Sequence, residues 1–278
     1  MNLEEMLLRE RDRPAPNPLM HRTGEIIARV RRRRRARAAV GGVASAATVA
    51  AVAVVGWQVF APGPLHESAP TSPIAGGSDA VPLSQVPADS PLDPGRYVAS
   101  VMDSPSAPLL PVLSVPEGYT GLGGASGVVA EDFDDDNVDE AYLWVWGNVT
   151  EVYTHPCDTG AFSDPVGPSV ADLANALAAQ PLVAGTDPVP VTVGGYDGLY
   201  LELSAPDDFD FSACPQEALA LWAGRFQQYP GQVDMVWIVD VEGERIVFDA
   251  SHKDASPEQV AELTEMVTTA TFTPAEGT

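Results

Sequence analysis

The stretch Met235-Val236-Trp237-Ile238-Val239-Asp240-Val241-Glu242-Gly243-Glu244-Arg245-Ile246-Val247-Phe248-Asp249-Ala250 decides the fold. Met235–Val241 and Arg245–Ala250 are short runs rich in β-branched and aromatic side chains, the composition that suits a pleated surface. Glu242-Gly243-Glu244 lies between them as a turn, so the segment reads as a β-hairpin. A helix follows directly. Ser256 stands at its N-cap, Pro257 at its first position and Gln259 at its third, a capping box with proline where no N–H is needed. Val260, Leu263 and Val267 then fall on one face, which must be buried. Thr271–Thr273 returns as a last strand.

The same signals recur toward the amino end. Val189–Val193 and Leu199–Leu203 flank Gly194-Gly195-Tyr196-Asp197-Gly198, a second hairpin. Ser169–Ala179 is predicted as a helix capped by Ser169, with Asp172 in its first turn and a stripe of Val170, Leu173, Ala174 and Leu177. Upstream strands are expected at Arg96–Val101, Val112–Val115, Gly127–Ala130, Ala141–Trp146 and Val149–Tyr153, with a turn at Pro116-Glu117-Gly118. Strands and helices that do not strictly alternate predict an α+β domain: an antiparallel sheet with two main helices, spanning 95–278. The sequence shows no internal repeat.

Charge divides the 278 residues sharply. Residues 1–38 hold eleven Arg against five acids, a net +6, while 39–278 hold four basic groups (Arg96, Arg225, Arg245, Lys253) against 34 acids, a net −30. Between the two lies Ala38–Ala61, 24 residues without a charge. A helix of that length reaches about 36 Å, enough for a hydrocarbon core of about 30 Å. Trp57 and Phe60 sit at its far end, where interfacial aromatics belong. Arg31, Arg32, Arg33, Arg34, Arg35 and Arg37 abut its near end. A cleaved signal peptide fits less well, because Pro62 follows the candidate cleavage site Val59-Phe60-Ala61, and no Cys follows the run to carry a lipid.

The expectation is therefore a single-pass signal anchor in the cell membrane. Its amino terminus lies in the cytoplasm, since basic flanks stay inside. The organisation that follows is a cytoplasmic basic segment (1–37), a transmembrane helix (38–61), a Pro-rich linker (62–94) and an extracytoplasmic domain (95–278). Eight prolines in Pro62–Pro94 make that linker an extended spacer, at about 3.1 Å per residue. Membrane lipid is the expected partner of the Arg run, at about 1 kcal/mol per Arg near an anionic surface. Nucleic acid is not, because no aromatic or base-reading groups accompany the arginines.

Candidate chemistry is thin. Cys157 and Cys214, both outside the membrane, read most simply as a disulfide. With His155 and His252 they have the ligand types of a zinc site, but the spacing fits no zinc motif, so no metal is assigned. The acidic run Asp132–Glu140 places oxygens as a calcium loop would, yet Leu143 stands where the bidentate Glu is required. That run and Asp207, Asp208 and Asp210 read as solvated loops, with weak divalent cation binding as the alternative.

Tyr142, Trp144 and Trp146 alternate on one face of a strand. They read as core, packed with Trp222 and Trp237, rather than as a sugar platform. Asn148-Val149-Thr150 is a weak glycosylation sequon. Gly124-Ala125-Ser126-Gly127-Val128 lacks the second Gly of a nucleophile elbow, and neither His155 nor His252 stands in a catalytic setting. No phosphate-cradling or dinucleotide motif is present. No enzyme, catalytic residue or cofactor is assigned.

Leu3-Glu4-Glu5-Met6-Leu7, the Arg run and the Ala/Val span together resemble a group of uncharacterised actinobacterial single-pass membrane proteins. The resemblance continues through His155-Pro156-Cys157, Gly167–Leu173, Val193-Gly194-Gly195-Tyr196 and Val236–Val241. It implies this architecture and no catalytic residues. The layout also resembles transmembrane anti-sigma regulators, without their cytoplasmic His-x-x-x-Cys-x-x-Cys motif. The outer strand and helix order is similar to sheet-and-helix lipoprotein domains of the Mog1/PsbP-like type. The function expected is a membrane-anchored, non-catalytic binding or sensing module, with room for a protein partner on either side of the membrane. The alternative is a regulator whose short cytoplasmic helix, built on Leu3, Met6 and Leu7, holds a transcription factor.

Overall fold

The β-branched hairpin at 233–252 forms the middle of the molecule. The structure, a computed structural model, describes residues 80–87, 90–122, 125–130, 141–158 and 163–275. The expectations for the cytoplasmic segment, the span, Arg31–Arg35, Arg37, Trp57 and the linker as far as residue 79 lie outside the described residues, as does the acidic run 132–140. Among the described residues, no helix is long and apolar enough to cross a membrane.

In chain order the first elements are β1 (Val81–Pro82), β2 (Gly95–Val98), β3 (Leu109–Val115), β4 (Tyr119–Gly121), β5 (Gly127–Ala130) and β6 (Tyr142–Trp146). Next come β7 (Glu151–Tyr153), β8 (Ser163–Pro165), α1 (Val170–Ala178), β9 (Ala184–Gly185), β10 (Val189–Val193) and β11 (Tyr196–Ser204). The last are β12 (Leu219–Trp222), β13 (Arg225–Gln227), β14 (Val233–Val241), β15 (Glu244–His252), α2 (Pro257–Thr268) and β16 (Thr271–Pro274).

The main sheet runs β10-β11-β14-β15-β6-β5-β4, antiparallel throughout, with β9 also paired to β11. Trp237 of β14 lies opposite Phe248 on one side and Tyr200 on the other. Both central hairpins turn on two residues: Gly194-Gly195 and Glu242-Gly243 all have positive φ. Such turns match the twist of the strands, which makes the loops shorter than expected from composition. Gly198 is required for packing: a Cβ there would collide with the carbonyl of Ile238.

The centre of the sheet, β6, β14 and β15, is buried on both faces, so these strands lack a strict apolar–polar alternation, whereas β10 and β11 at the edge are partly exposed. Met235, Trp237, Val239, Ile246 and Phe248 face one core, together with Leu143 and Val145. Val236, Ile238, Val247, Trp144 and Trp146 face the other. The first core is closed by α2, through Leu263, Met266 and Val267, and by a second sheet of order β1-β2-β3-β16. The second core is closed by α1, through Leu173, Ala174 and Leu177, and by the small hairpins β12-β13 and β7-β8. Each such fully buried Leu, Ile or Phe stabilises the fold by about 1.5–3 kcal/mol. The result is an α+β domain of antiparallel sheets with two α-helices among the described residues.

Both helices start with reciprocal capping boxes. Ser169 accepts from the Asp172 amide at 3.1 Å and its own amide donates to Asp172 at 3.0 Å. Ser256 and Gln259 do the same at 3.2 and 2.9 Å. Arg245 then holds the approach to α1, donating to the carbonyls of Gly167 (2.7 Å), Ser169 (2.9 Å) and Val149. Burial pushes this guanidinium's pKa down, opposed by Asp172 and Glu244.

The structure corrects several expectations. The chain joins the fold by residue 80, earlier than the boundary at 95: Leu83 and Leu92 are buried in the first core, and β1 pairs in parallel with β2 at the sheet edge. Proline density hid this, because an edge strand of two residues tolerates proline while two leucines supply the anchor. Trp237 does not pack with Trp144 and Trp146; it points into the opposite core, 4.8 Å from the Tyr200 ring. The hairpin β12-β13 was not expected as strands at all.

Candidate functional site

Leu110 and Val112 of β3 alternate with inward-facing residues of the second sheet, and with Val98 of β2 they form its outer face. Cross-strand register aligns them: Val98 opposes Val112, and Leu110 opposes Thr273 of β16. An outward sheet face is normally polar. Here it is the floor of a groove of about 670 Å³, within the range of about 300–1,000 Å³ typical of small-ligand sites. Its walls are drawn from the segment carrying Pro82, Ser84 and Gln85, from the loop from Ser100 to Pro105 and from the end of β16 with Ala275.

That loop is fixed to the main sheet. The Met102 amide donates to Val145 at 3.0 Å, and Met102 accepts from the Gly147 amide at 2.8 Å. Ser104 donates from its hydroxyl to Glu244 at 2.5 Å, tying the groove wall to the start of β15. Asp103, at positive φ in the turn, has its pKa raised by burial. The wall is therefore held by the element that also forms the centre of the fold.

Arg96 is the one ionisable side chain among the residues lining this groove. It donates from Nη2 to Oγ1 of Thr271 at 3.1 Å, and no carboxylate among the described residues forms an ion pair with it. The other cations of the domain are engaged. Arg225 pairs with Asp234 and Asp249, Arg245 is spent on carbonyls, and Lys253 pairs with Asp254 at 3.3 Å. A guanidinium has five N–H donors, so one neutral hydroxyl leaves Arg96 with capacity for an anion.

Arg225 belongs to a separate, closed polar cluster. Asp234 and Asp249 are fully buried beside it. Gln227 donates to Asp234 at 2.6 Å and to the Leu203 carbonyl at 2.9 Å; Gln232 donates to Ser251 at 3.0 Å. Burial raises the Asp249 pKa, and Arg225 opposes that shift. The cluster fastens the β12-β13 hairpin to the main sheet.

The sequence-level candidates fall as follows. Cys157 and Cys214 are joined by a disulfide with Cα atoms 4.9 Å apart. Bonded sulfurs present no thiolate to a metal, and among the described residues no cluster of three or more His, Cys, Asp or Glu could hold one. The bond ties the loop after β7 to the loop before β12, near a hydrogen bond from the Ala220 amide to the Pro156 carbonyl at 2.8 Å. Trp144 and Trp146 are buried with Trp222; the rings of Trp146 and Trp222 meet edge-on at 5.7 Å. They line a core and offer no platform. Ser126 is buried and supplies no exposed nucleophile. Asp210 caps the short helical turn Phe211–Ala213, accepting from the Ser212 amide at 3.0 Å. His252, half-buried, lies far in sequence from His155 and has its pKa lowered by burial, against Glu202 and Asp254.

Sequence reasoning missed the groove and Arg96. The available signal was scarcity: Arg96 is one of four cations among 34 acids in 39–278. No protein-family model matches the sequence. No curated protein matches it either. The described fold is similar to a solved structure of LpqN, involved in cell envelope biogenesis of Mycobacterium tuberculosis. The identity is 16%, the match covers 63% of this chain and 89% of that one, and the TM-score is 0.37.

Proposed function

We propose that this chain is a membrane-anchored, extracytoplasmic binding module and that the groove over the outer sheet takes its ligand. The observation that carries the reading is a groove whose sheet floor presents two partly exposed apolar side chains, Val98 and Leu110, with Val112 buried between them. A fold whose main sheet is buried on both sides at its centre gains nothing in stability from leaving Leu110 and Val98 half-exposed. Ser84, Gln85, Ser100 and Ser104 supply a few polar groups around that floor, the usual composition of a small-molecule site. The uncharged run Ala38–Ala61 with its flanking arginines supports the membrane anchor and, by the positive-inside rule, an outer location for the groove. No catalytic step is assigned, since among the described lining residues no histidine or carboxylate stands beside the serine hydroxyls as a general base.

The test is thiol protection in the full chain, reconstituted in zwitterionic nanodiscs. Val98→Cys is placed in the groove and Val189→Cys on an exposed strand elsewhere. Alkylation is timed with and without decanol or decanoate. Slower alkylation at 98 alone supports the reading. Equal rates with and without either ligand at both positions contradict it.

A further inference from the structure

We infer that the ligand is an anionic amphiphile, with its aliphatic body on Val98 and Leu110, over the buried Val112, and its single carboxylate or phosphate group on Arg96; this rests on the groove being the binding site. Charge distribution carries the inference. Residues 39–278 contain 34 acids and four basic groups, yet among the described residues no carboxylate lines the groove and one of the four cations does. A groove surrounded by such a surface would repel an anion unless the local field were reversed, and Arg96 reverses it where the apolar floor begins. The remaining three cations have structural partners: two buried carboxylates, backbone carbonyls and Asp254.

Geometry adds to this. Arg96 and Val98 are two residues apart on β2, so both side chains stand on the same face of the sheet, about 7 Å apart along the strand. Arg96 is held at one Nη2 by Thr271, which orients the guanidinium plane without neutralising it. Its remaining N–H groups are suited to two parallel hydrogen bonds with a carboxylate or phosphate. The floor continues from there through Val112 to Leu110 and Thr273. A headgroup at one end and a chain along the other is the arrangement this surface matches. A cationic amphiphile would meet a guanidinium instead, and a neutral one would leave Arg96 desolvated and unpaired.

The test uses the full chain in phosphatidylcholine nanodiscs and a fatty acid bearing an aliphatic diazirine. Photolabelled peptides are mapped by mass spectrometry. The matching diazirine alcohol tests the apolar body without the charge, and inorganic phosphate as competitor tests the charge without the body. The expected result is labelling of the peptides carrying Val98 and Leu110–Val112 by the acid. It should exceed labelling by the alcohol about ten-fold, fall about ten-fold in Arg96→Gln, and survive in Arg96→Lys. Far-UV circular dichroism of each variant reports that the fold is intact, and the acid-to-alcohol comparison on the unaltered chain needs no variant.

Equal groove labelling by acid and alcohol, insensitive to Arg96→Gln, overturns the anionic ligand while leaving the groove as a binding site. Groove labelling by neither probe overturns both. Complete displacement of the acid by millimolar phosphate overturns the amphiphile in favour of a free anion.

Discussion

Arg225 and Asp249 form an ion pair between the β12-β13 hairpin and the centre of the main sheet, with the Asp249 side chain wholly withdrawn from solvent. Asp234 pairs with the same guanidinium, so one cation stands between two buried carboxylates. Removing the cation leaves charge uncompensated in a low-dielectric interior, which costs about 3–5 kcal/mol. Arg225→Met is expected to lose that much stability in urea unfolding. Arg225→Met combined with Asp249→Asn is expected to be more stable than the single variant, because one stranded charge is gone. The sign of the pH effect follows from the raised Asp249 pKa. Its stabilising protonation is complete below the unfolded carboxylate value and is lost as pH rises through the folded one. The deficit of Arg225→Met should therefore shrink in acid. A deficit that grows as pH falls would contradict this account of the cluster.

The disulfide acts on the same hairpin from its other end. Cys157 and Cys214 close a loop with a sequence separation of 57. A chain-entropy treatment gives a stabilisation of about 4 kcal/mol for a loop of that size. Cys157→Ala with Cys214→Ala should lower the urea midpoint, and adding reductant to the unaltered chain should lower it to the same value. An unchanged midpoint would mean that the Arg225 cluster alone holds the hairpin.

His252 gives a second pH signature, of opposite sense. Its folded pKa lies below the ordinary imidazole value because the ring is half-buried at the end of β15, facing Glu202 and Asp254. The unfolded chain then binds the proton more readily. The contribution of His252 to stability is present above the unfolded value near 6.5 and is lost as pH falls through the folded value. His252→Gln should flatten the stability profile in that interval, read from thermal midpoints at successive pH values. A profile unaltered by the substitution would exclude His252 as its source.

Much of the fold was readable from local signals, and the exceptions have physical causes. Ser256-Pro257 and Ser169 announced both helices because capping chemistry is confined to three or four adjacent residues. The strands at 127–130 and 189–193 were bounded by glycine. The β12-β13 hairpin was not, since Leu219–Trp222 is too short and too uniformly apolar to show a period, and its hold on the sheet comes from Arg225 and Cys214 acting across long separations. Pro82 disguised β1 as linker. Trp237 was assigned to the wrong core because both faces of β14 are buried, which removes the alternation that would have shown its side. The groove was least legible of all. Arg96 and Val98 share β2, but Leu110 lies 12 residues beyond Val98 and Thr271 and Thr273 lie at the far end of the chain, and only the pairing of β2, β3 and β16 brings them onto one surface.

The central claim is that this surface binds a ligand. The most direct measurement is methyl NMR of the full chain, labelled at Val and Leu methyls and held in zwitterionic nanodiscs, during titration with decanoate. Saturable shifts concentrated at Val98, Leu110 and Val112, with Leu182 and Val189 unmoved, are the predicted result. Shifts spread evenly over exposed methyls, or largest outside the second sheet, would contradict the account.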